Sequence, residues 1–398
     1  MKFDNLLRYA VRIIDAYSGE KPLHIWLKEF FRVNPQMGSR DRKLVSEMVY
    51  CFYRLGHSLK NIPVHERILS GLFLCNETPI EALQYLVPEW NEAIDRTLED
   101  KIRLLQEKYP DFSTEQIFPW QDLLSEGIDH RQFCLSFLKK PDLFIRVRAG
   151  KEQTVSEKLG KGKVVFREQG LDEGLPFKSY SFLNGTRLEE VFDLNRDAVI
   201  QDLSSQKTGH LMRIPDLDPE KIIRAWDCCA ASGGKSILLA DLYPTLDLTV
   251  TDIRKSILEN LRIRFAQAGI SRYQAFMTDL TLEKDLPKQS FDLIVADLPC
   301  TGSGTWSRTP ESLYFFDPQK VESYRDRQRQ MLLNIIRCLK PGATLVYITC
   351  SVFAAENEQT LEQVLEDSSF QRTGQEMITG YRERADSLFA GRFKKRLV

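Results

Sequence analysis

Two cysteines each follow an apolar run that is typical of a buried strand. Cys300 lies in DLPCTGSGT (297–305), directly after FDLIVA, and Cys350 lies in TCSVFAAENE (349–358), directly after TLVYI. Ligands bind at the carboxyl ends of the strands in open α/β sheets, where both thiols would then lie. A thiol is a strong nucleophile once its thiolate is favoured, so the pair suggests covalent chemistry. A redox-active disulfide, or two cysteines that only fill the core, are the alternatives.

A third segment, DCCAASGGKS (227–236), separates an apolar run from a helical one. Its small residues and two glycines would let a ligand approach the backbone amides closely. A P-loop fits poorly, because that motif needs glycine where this chain has cysteine at position 229. The segment favours a nucleoside or dinucleotide site, with a tight turn alone as the alternative. The candidate contacts are Cys229, Ala230, Ala231, Ser232, Gly233, Gly234 and Lys235.

Carboxylates end the next three strand-like runs. Asp252 ends TVTD, seventeen residues after Lys235, close to the spacing of the acid that binds the ribose in dinucleotide folds. Asp279 follows in MTDL, where it would face the adenine, and Asp297 ends the fourth run. Each acid alone is ordinary on a solvated loop. With Asp227 at the end of the first run, acids at three consecutive strand ends favour a nucleotide site.

Three regions of different patterning position these residues. Residues 216–398 alternate strands with helices, which predicts a mostly parallel sheet covered on both faces. Residues 1–138 carry apolar side chains at helical spacing, including a stretch over 114–126, and predict an all-α domain. Residues 139–215 predict a small α+β module. Ten Lys or Arg against six Asp or Glu lie between positions 139 and 178, and basic residues alternate with apolar ones in LFIRVRAG (143–150). This pattern is typical of an RNA-binding sheet or of a solvated sheet face.

Composition narrows the class of protein. The chain has 398 residues, 42% of them hydrophobic, and a formal net charge of −1, which excludes a uniformly basic nucleic-acid coat. No apolar run reaches membrane-spanning length, and the N-terminus lacks the features of a signal peptide. The eight cysteines form no CxxC pair and only five histidines accompany them, so no metal site is predicted. We expect reduced thiols in a cytoplasmic protein that does not bind membranes.

The three chemical segments resemble the motifs of the RsmB/NOP/NSUN family of RNA 5-methylcytosine methyltransferases. QDLSSQ (201–206) resembles the lead-in motif of that family. GSRDRKLVSEMVYCFYRLG (38–56) resembles the NusB-like domain that is fused to its bacterial members acting on 16S rRNA. The resemblance implies a multidomain protein, with an all-α NusB-like domain over 1–138 and a small α+β RNA-binding module over 139–215. Residues 216–398 would form a Rossmann-like class I methyltransferase sheet.

The resemblance also implies a cofactor, a partner and residue roles. The cofactor would be S-adenosylmethionine and the partner RNA, most closely 16S rRNA, with no DNA. Cys350 would be the nucleophile that adds to C6 of the cytosine, Cys300 would assist the later elimination, and Asp297 would hydrogen-bond to N3. Residues 229–235 would hold the methionine portion of the cofactor, beside Asp297, while Asp252 would bind the ribose and Asp279 the adenine.

Two departures from the family pattern are visible. Ser232 stands where the first motif usually has proline, and DSLFAG (386–391) replaces a closing motif that resembles D-G-F-F-x-A. Arg392–Arg396 is a basic tail and a candidate phosphate contact. Other functions left open are a tRNA methyltransferase and a non-catalytic ribosome-assembly factor, although the latter would need neither cysteine. The N-terminal regions disfavour a small-molecule or DNA methyltransferase, and a monomer is expected.

Overall fold

The structure is a computed structural model that describes residues 2–162, 164–171, 174–214, 221–365 and 369–397. Its α-helices are α1 (Phe3–Ala16), α2 (Leu23–Val33), α3 (Ser39–Arg54), α4 (Val64–Cys75), α5 (Glu81–Leu86), α6 (Pro88–Glu92), α7 (Leu98–Lys108), α8 (His130–Ser136), α9 (Glu152–Lys161), α10 (Leu203–Lys207), α11 (Gly209–Met212), α12 (Gly234–Leu242), α13 (Lys255–Ala268), α14 (Pro310–Tyr314), α15 (Lys320–Ile335) and α16 (Glu358–Leu365). Its strands are β1 (Leu143–Val147), β2 (Phe166–Gln169), β3 (Ser179–Phe182), β4 (Ala198–Ile200), β5 (Ile223–Asp227), β6 (Leu246–Asp252), β7 (Tyr273–Met277), β8 (Phe291–Asp297), β9 (Leu339–Thr349), β10 (Phe370–Ile378) and β11 (Leu388–Lys395).

A seven-stranded sheet forms the larger core, in the order β10-β11-β9-β8-β5-β6-β7. The five strands from β9 to β7 pair in parallel, and β11 and β10 pair antiparallel at the other side. Successive residues of each central strand enter different cores, as Ala225 and Trp226 do, because side chains alternate across a strand. The predicted Rossmann-like sheet, covered on both faces, is confirmed.

The parallel strands bring their carboxyl ends to one edge of this sheet. Asp227, Asp252, Asp297 and Thr349 are the last residues of β5, β6, β8 and β9. Strands β8 and β5 are the central neighbours, and the chain leaves them in opposite directions across the sheet. This is the switch point at which open α/β sheets bind ligands. The predicted site residues therefore come from separate parts of the sequence to one edge.

The second sheet is a four-stranded antiparallel one, in the order β2-β3-β1-β4, and it packs with α9 around a core of its own. The basic residues of β1 do not form an exposed RNA-binding face, nor a solvated one, so both interpretations of these arginines are wrong. Arg146 is fully buried and pairs with Asp241 of α12, and Arg148 donates to the same carboxylate. A buried guanidinium needs such a partner, because an uncompensated buried charge is costly.

Residue contacts divide the chain into two compact units. The first comprises Met1–Asp122, Asp129–Lys140 and Thr305–Pro318, and the second comprises Leu123–Ile128, Pro141–Gly304 and Gln319–Val398. Both sheets thus belong to one unit. The predicted boundary between 215 and 216 lies outside the described residues, and the NusB-like assignment of the helical region stays a prediction. None of the described helices is long and apolar enough to cross a membrane.

The segment Thr305–Pro318, which the sequence placed in the catalytic domain, completes the helical unit. The Glu311 carboxylate accepts a hydrogen bond from the Leu23 backbone N–H at 3.1 Å. The His57 ring nitrogen Nε2 lies 3.0 Å from the Leu313 carbonyl oxygen. Burial lowers the pKa of His57 to about 4, so a neutral imidazole donates this bond. The helical unit is therefore built from distant parts of the chain.

The predicted helix over 114–126 is wrong. The structure has two single 3-10 turns there, Glu115–Ile117 and Gln121–Leu123. Pro119 lies between them, and proline cannot donate the backbone hydrogen bond that a continuing helix needs.

Candidate functional site

The two predicted cysteines meet at the carboxyl edge of the large sheet. Cys300 follows β8 and Cys350 follows β9, and their sulfur atoms lie 3.3 Å apart. The hydrogen bond with Cys350 and burial together raise the pKa of the Cys300 thiol. Both thiols are free, and no disulfide joins them. Cys300 therefore stays protonated and is placed to donate its proton toward the Cys350 sulfur.

Lys235 and Asp297 form an ion pair beside these cysteines. Their Nζ and Oδ2 atoms lie 2.7 Å apart, and both side chains are largely buried. Burial alone would lower the pKa of Lys235, but the charge and hydrogen bond of Asp297, with smaller contributions from Cys350 and Asp227, together outweigh it and the pKa is raised. Lys235 therefore stays a buried ammonium group beside Asp297.

The loop 227–236 adopts a strained backbone that leads into α12. Ala231 and Gly233 both have positive φ, at +46° and +85°. At Gly233 a Cβ atom would lie 2.6 Å from the Phe265 ring, so glycine is required for the close approach of loop and helix. A non-glycine residue with positive φ is strained, and such residues cluster at ligand sites.

The departure at Ser232 has a structural counterpart in Arg264 of α13. The guanidinium Nη1 donates to the Ser232 hydroxyl at 2.7 Å and to its carbonyl oxygen at 2.9 Å. The Arg264 Nε atom also donates to the Asn195 side chain at 3.0 Å. Proline at 232 would remove the hydroxyl acceptor. Serine thus ties this loop to α13 and to the chain before β4, a link that the motif comparison missed.

Asp252 and Asp279 follow β6 and β7 in different ways. The buried Asp252 accepts hydrogen bonds from the backbone N–H of Ala231 at 3.1 Å and from the guanidinium of Arg254 at 3.0 and 3.1 Å. Burial alone would raise the pKa of Asp252, but the Arg254 hydrogen bonds outweigh it and the pKa is lowered. Asp279 instead accepts from the backbone and hydroxyl of Thr281. Asp252 therefore contacts the 227–236 loop, whereas the hydrogen bonds of Asp279 close a local turn.

Asp227 is a further member of the site, to which the sequence reasoning gave no role although it opens the DCCAASGGK segment. Its Oδ2 accepts a hydrogen bond from the Ser236 hydroxyl at 2.6 Å, while its buried Oδ1 has no hydrogen-bond partner among the described residues. Burial raises its pKa to about 7, and the carboxylates of Asp297 and Asp252 add to the effect. A buried acceptor without a donor indicates a place for a ligand donor or cation.

The charges of this site fit a cationic nucleoside. Asp227, Asp252 and Asp297 lie at or beside a loop that itself carries one cation, Lys235, and that Arg264 contacts at Ser232. S-adenosylmethionine carries a sulfonium, an ammonium and a carboxylate. The acids match the cationic groups and the ribose hydroxyls, and the backbone amides of a strand-to-helix loop match the carboxylate. Within the described ranges, no group of His, Cys, Asp and Glu has the arrangement of a metal site.

Comparison with known proteins identifies the region that carries this site. The sequence model of the family "16S rRNA methyltransferase RsmB/F" matches residues 215–385. Ribosomal RNA small subunit methyltransferase B of Xylella fastidiosa is 34% identical over 168 residues, which are 42% of this chain and 38% of that protein. The region that carries the site is thus similar to the methyltransferase domain of the RsmB/F family. The chain spans well under two thirds of the length of such relatives.

One further relative and two solved structures are also similar to this chain. The tRNA (cytosine(72)-C(5))-methyltransferase NSUN6 of Mus musculus is 32% identical over 185 residues, 42% of this chain and 36% of that protein. The crystal structure of PH0851 covers 99% of each chain, with a TM-score of 0.67 and 18% identity. That of NSun6 from Pyrococcus horikoshii with SFG covers 67% of this chain and 94% of its own, with a TM-score of 0.55 and 13% identity. These two structures support the fold alone.

Proposed function

We propose that this protein transfers a methyl group from S-adenosylmethionine to C5 of a cytosine in RNA. The observation that carries the proposal is the pair of thiols 3.3 Å apart at the sheet edge, next to the Lys235–Asp297 ion pair. A binding protein without catalysis has no use for two adjacent thiols and an ammonium group at a nucleoside site. The match of residues 215–385 to the RsmB/F methyltransferase family supports the same reaction.

The cofactor would lie along the loop that joins β5 to α12. The amides of residues 229–235 hold its methionine portion, Asp252 binds the ribose hydroxyls, and Asp279 lies at the end of the next strand, on the adenine side. The buried carboxylate of Asp227 faces the cationic end. When bound, the cofactor supplies an electrophilic methyl group, which is the chemistry that the protein side chains lack.

Cytosine C5 is a poor nucleophile until the ring is activated, and Cys350 provides the activation. Its thiolate adds to C6, the S–C6 bond forms, and the electron pair moves toward C5, while Asp297 hydrogen-bonds to N3, a role that requires a proton on its carboxyl group. C5 would then take the methyl group that the bound cofactor supplies from its sulfonium, which leaves a thioether. The C5 proton passes to water and the S–C6 bond breaks, assisted by the Cys300 thiol, which donates a hydrogen bond to the departing sulfur, and the Cys350 thiolate is restored.

The substrate we propose first is 16S rRNA, because the Xylella relative is named for the small ribosomal subunit. A tRNA is the second candidate, supported by the name of the mouse relative. The target base must leave its stack, because Cys350 attacks C6 from a face of the ring, and stacked neighbours cover that face. We infer that the helical unit, NusB-like by resemblance, contributes RNA contacts.

Transfer of labelled methyl groups from S-adenosylmethionine tests this function, with unmodified 16S rRNA and tRNA as parallel substrates. We expect labelling of one of them by the wild type and none by Cys350→Ala. Equal labelling by both proteins would contradict the assignment of the nucleophile. Cys338→Ala is a matched control, because Cys338 is a buried cysteine remote from this edge of β9.

The role of Cys300 has a separate readout. If Cys300 assists elimination, Cys300→Ala accumulates a covalent protein–RNA adduct that survives denaturing electrophoresis. The double substitution at Cys300 and Cys350 removes the adduct, because no nucleophile remains. Absence of an adduct from the single Cys300 variant, in the presence of cofactor and a methylated product, would contradict the elimination role.

A further inference from the structure

One buried carboxylate joins the two loops that carry the cysteines. Glu356 is fully buried in the 3-10 turn Ala354–Glu356, six residues after Cys350. Its Oε1 accepts a hydrogen bond from the Thr301 backbone N–H at 2.8 Å, and its Oε2 accepts from the Thr301 hydroxyl at 2.5 Å. Thr301 directly follows Cys300. Both carboxylate oxygens therefore fix the first cysteine loop.

The same carboxylate also holds the second loop. Its Oε2 accepts a hydrogen bond from the Ser351 hydroxyl at 2.5 Å, and Ser351 directly follows Cys350. The Ser351 hydroxyl in turn accepts from the Phe353 backbone N–H at 3.0 Å. Gln328 of α15 donates to Oε1 at 3.2 Å and to the Pro299 carbonyl oxygen at 3.0 Å. Glu356 thus bonds to the residues that follow both thiols, whose own hydroxyls lie 3.3 Å apart.

A hydroxyl cluster reinforces this connection. Ser303 lies 3.1 Å from Ser351 and 3.2 Å from Thr301, oxygen to oxygen, and accepts from the Val352 backbone N–H at 2.9 Å. All these groups are buried or nearly so, and a buried polar group that loses its partner is costly. Loss of the carboxylate would leave several donors unpaired, and the two loops would shift to satisfy them.

The charge of Glu356 acts on the Cys300 thiol. It contributes to the raised pKa of Cys300, after the larger effects of Cys350 and burial. Burial also raises the pKa of Glu356 itself, against the hydrogen bonds from Ser351 and Thr301.

We propose that Glu356 is a positioning residue that sets the distance between the Cys300 and Cys350 sulfur atoms. It touches neither substrate nor cofactor and acts through Thr301 and Ser351. The inference deepens the proposed methyl transfer, on which its catalytic part rests, but the geometric part holds independently of any substrate. The distance between the two sulfur atoms depends on the length and hydrogen bonding of the Glu356 side chain more than on its charge. The reason is that four donors, from two loops and α15, converge on the carboxylate.

Two variants separate reach from charge. Glu356→Gln keeps the length and loses the charge, and its amide still bonds to both loops because the hydroxyls of Thr301 and Ser351 accept as well as donate. Glu356→Asp keeps the charge but is one methylene shorter and fails to reach both loops. Glu362→Gln, at an exposed position of α16, is the matched control.

The first measurement needs neither RNA nor cofactor. The full-length protein is equilibrated in glutathione redox buffers, and the Cys300–Cys350 disulfide is quantified by peptide mapping with mass spectrometry. We expect the effective concentration of the two thiols to fall about tenfold or more in Glu356→Asp, and to stay within about threefold of the wild type in Glu356→Gln and in the control. Equal values for all four proteins, or a larger loss in Glu356→Gln than in Glu356→Asp, would overturn the proposal.

The second measurement is methyl transfer to the RNA that the wild type accepts. Glu356→Asp should lower kcat about 100-fold with KM for RNA within about threefold, and Glu356→Gln should recover most of kcat. A change in KM alone would overturn the catalytic part. A wild type that transfers no methyl group, with the disulfide ranking as expected, would refute the proposed function while leaving the positioning of the thiols intact.

Discussion

Arg254 holds the hydrogen-bonding positions of Asp252 that a ribose would use. The Arg254 backbone and Nε bond to one carboxylate oxygen, and Nη2 shares the other with the Ala231 backbone. The arginine side chain is 60% exposed, so it can leave at small cost, whereas Asp252 cannot. When the Arg254 side chain leaves, Asp252 loses two hydrogen bonds, one on each carboxylate oxygen. The two hydroxyls of a ribose could replace them.

Removal of the arginine side chain should therefore favour the cofactor. We expect Arg254→Ala to bind S-adenosylmethionine about two- to fivefold more tightly, because an exposed ion pair no longer has to break. Isothermal titration calorimetry measures the change, with Arg262→Ala on the exposed side of α13 as control. Weaker binding by Arg254→Ala would show that the arginine contacts the cofactor instead of competing with the ribose.

Asp227 makes the stability of the protein depend on pH. Its pKa in the folded protein is about 7, against 3.8 for the free side chain, so the folded state favours the protonated form. That stabilisation is complete below about pH 4 and is lost as the pH rises through 7. Relative to Asp227→Asn, the wild type should lose up to about 4 kcal/mol of unfolding free energy between pH 4 and 8. Urea unfolding over this range measures the difference, and parallel curves for the two proteins would contradict it.

Between elements, a close backbone approach lies at Gly304, where the loop after β8 meets the residue before β11. Its N–H donates to the Cys350 carbonyl oxygen at 2.9 Å, and its own carbonyl oxygen accepts from the Ser387 N–H at 2.9 Å. A Cβ atom here would lie 2.0 Å from the Ser387 carbonyl oxygen. The divergent DSLFAG segment thus bonds by its backbone, which explains why its changed side chains leave this contact in place.

The Gly304→Ala substitution should consequently push β11 away from the cysteine loops. We expect a loss of about 1–3 kcal/mol of unfolding free energy, as for other overpacked sites, together with a fall in kcat. Gly160→Ala is the matched control, because that glycine lies in α9 with open space at its Cβ, and alanine there should stabilise by about 0.5–1 kcal/mol. Equal stability of the two variants, measured by chemical denaturation, would refute the steric argument.

Helices and strands could be predicted from the sequence where the spacing of apolar residues or a single motif is enough to identify them. Strand ends at Asp227, Asp252 and Asp297 follow from short apolar runs that end in a polar residue, and the meeting of Cys300 with Cys350 follows from parallel pairing. The partners of these residues could not be predicted, since Arg264, Arg254 and Glu356 meet them only through the tertiary fold. The interpretation of Arg146 and Arg148 as surface residues was wrong for the same reason. The alternation of basic and apolar residues is visible in the sequence, but the shared partner Asp241 is 95 residues from Arg146.

The C-terminal basic segment illustrates the same limit. Arg392 lies in β11 and donates to Thr373 and to the Arg213 carbonyl oxygen, and Lys395 donates to the carbonyl oxygens of Ile336 and Leu339. Residues 392–395 form a strand paired on both sides instead of a tail. Their expected role as phosphate contacts stays a prediction, and in these two side chains it would require bonds to backbone oxygens to be exchanged for a phosphate.

At the scale of the whole molecule, the helical unit depends on residues from the middle of the sequence. The Phe316 ring lies 5.0 Å from the Trp120 ring and 4.6 Å from the Trp306 ring, between centroids, and the Phe315 ring lies 5.6 Å from that of Tyr17. Aromatic rings of this size bury large apolar areas. The segment Thr305–Pro318 would expose these rings without residues 1–122.

A protein truncated at the predicted domain boundary, residues 139–398, should therefore expose apolar surface and aggregate. We expect it to bind the dye ANS and to elute as aggregates in size-exclusion chromatography, because exposed aromatic patches associate. Full-length protein at the same concentration is the control. A monodisperse truncated protein without dye binding would show that Thr305–Pro318 finds other partners.

The route of the chain between the two units has a consequence for its synthesis on the ribosome. The helical unit is complete only when Pro318 has been made, about 180 residues after Lys140. At roughly 5–20 residues per second this takes about 10–35 s, during which the nascent N-terminal helices lack the aromatic residues that finish their core. Folding in strict N-to-C order is thus impossible for this protein, and the early helices are natural clients for a chaperone at the ribosome exit.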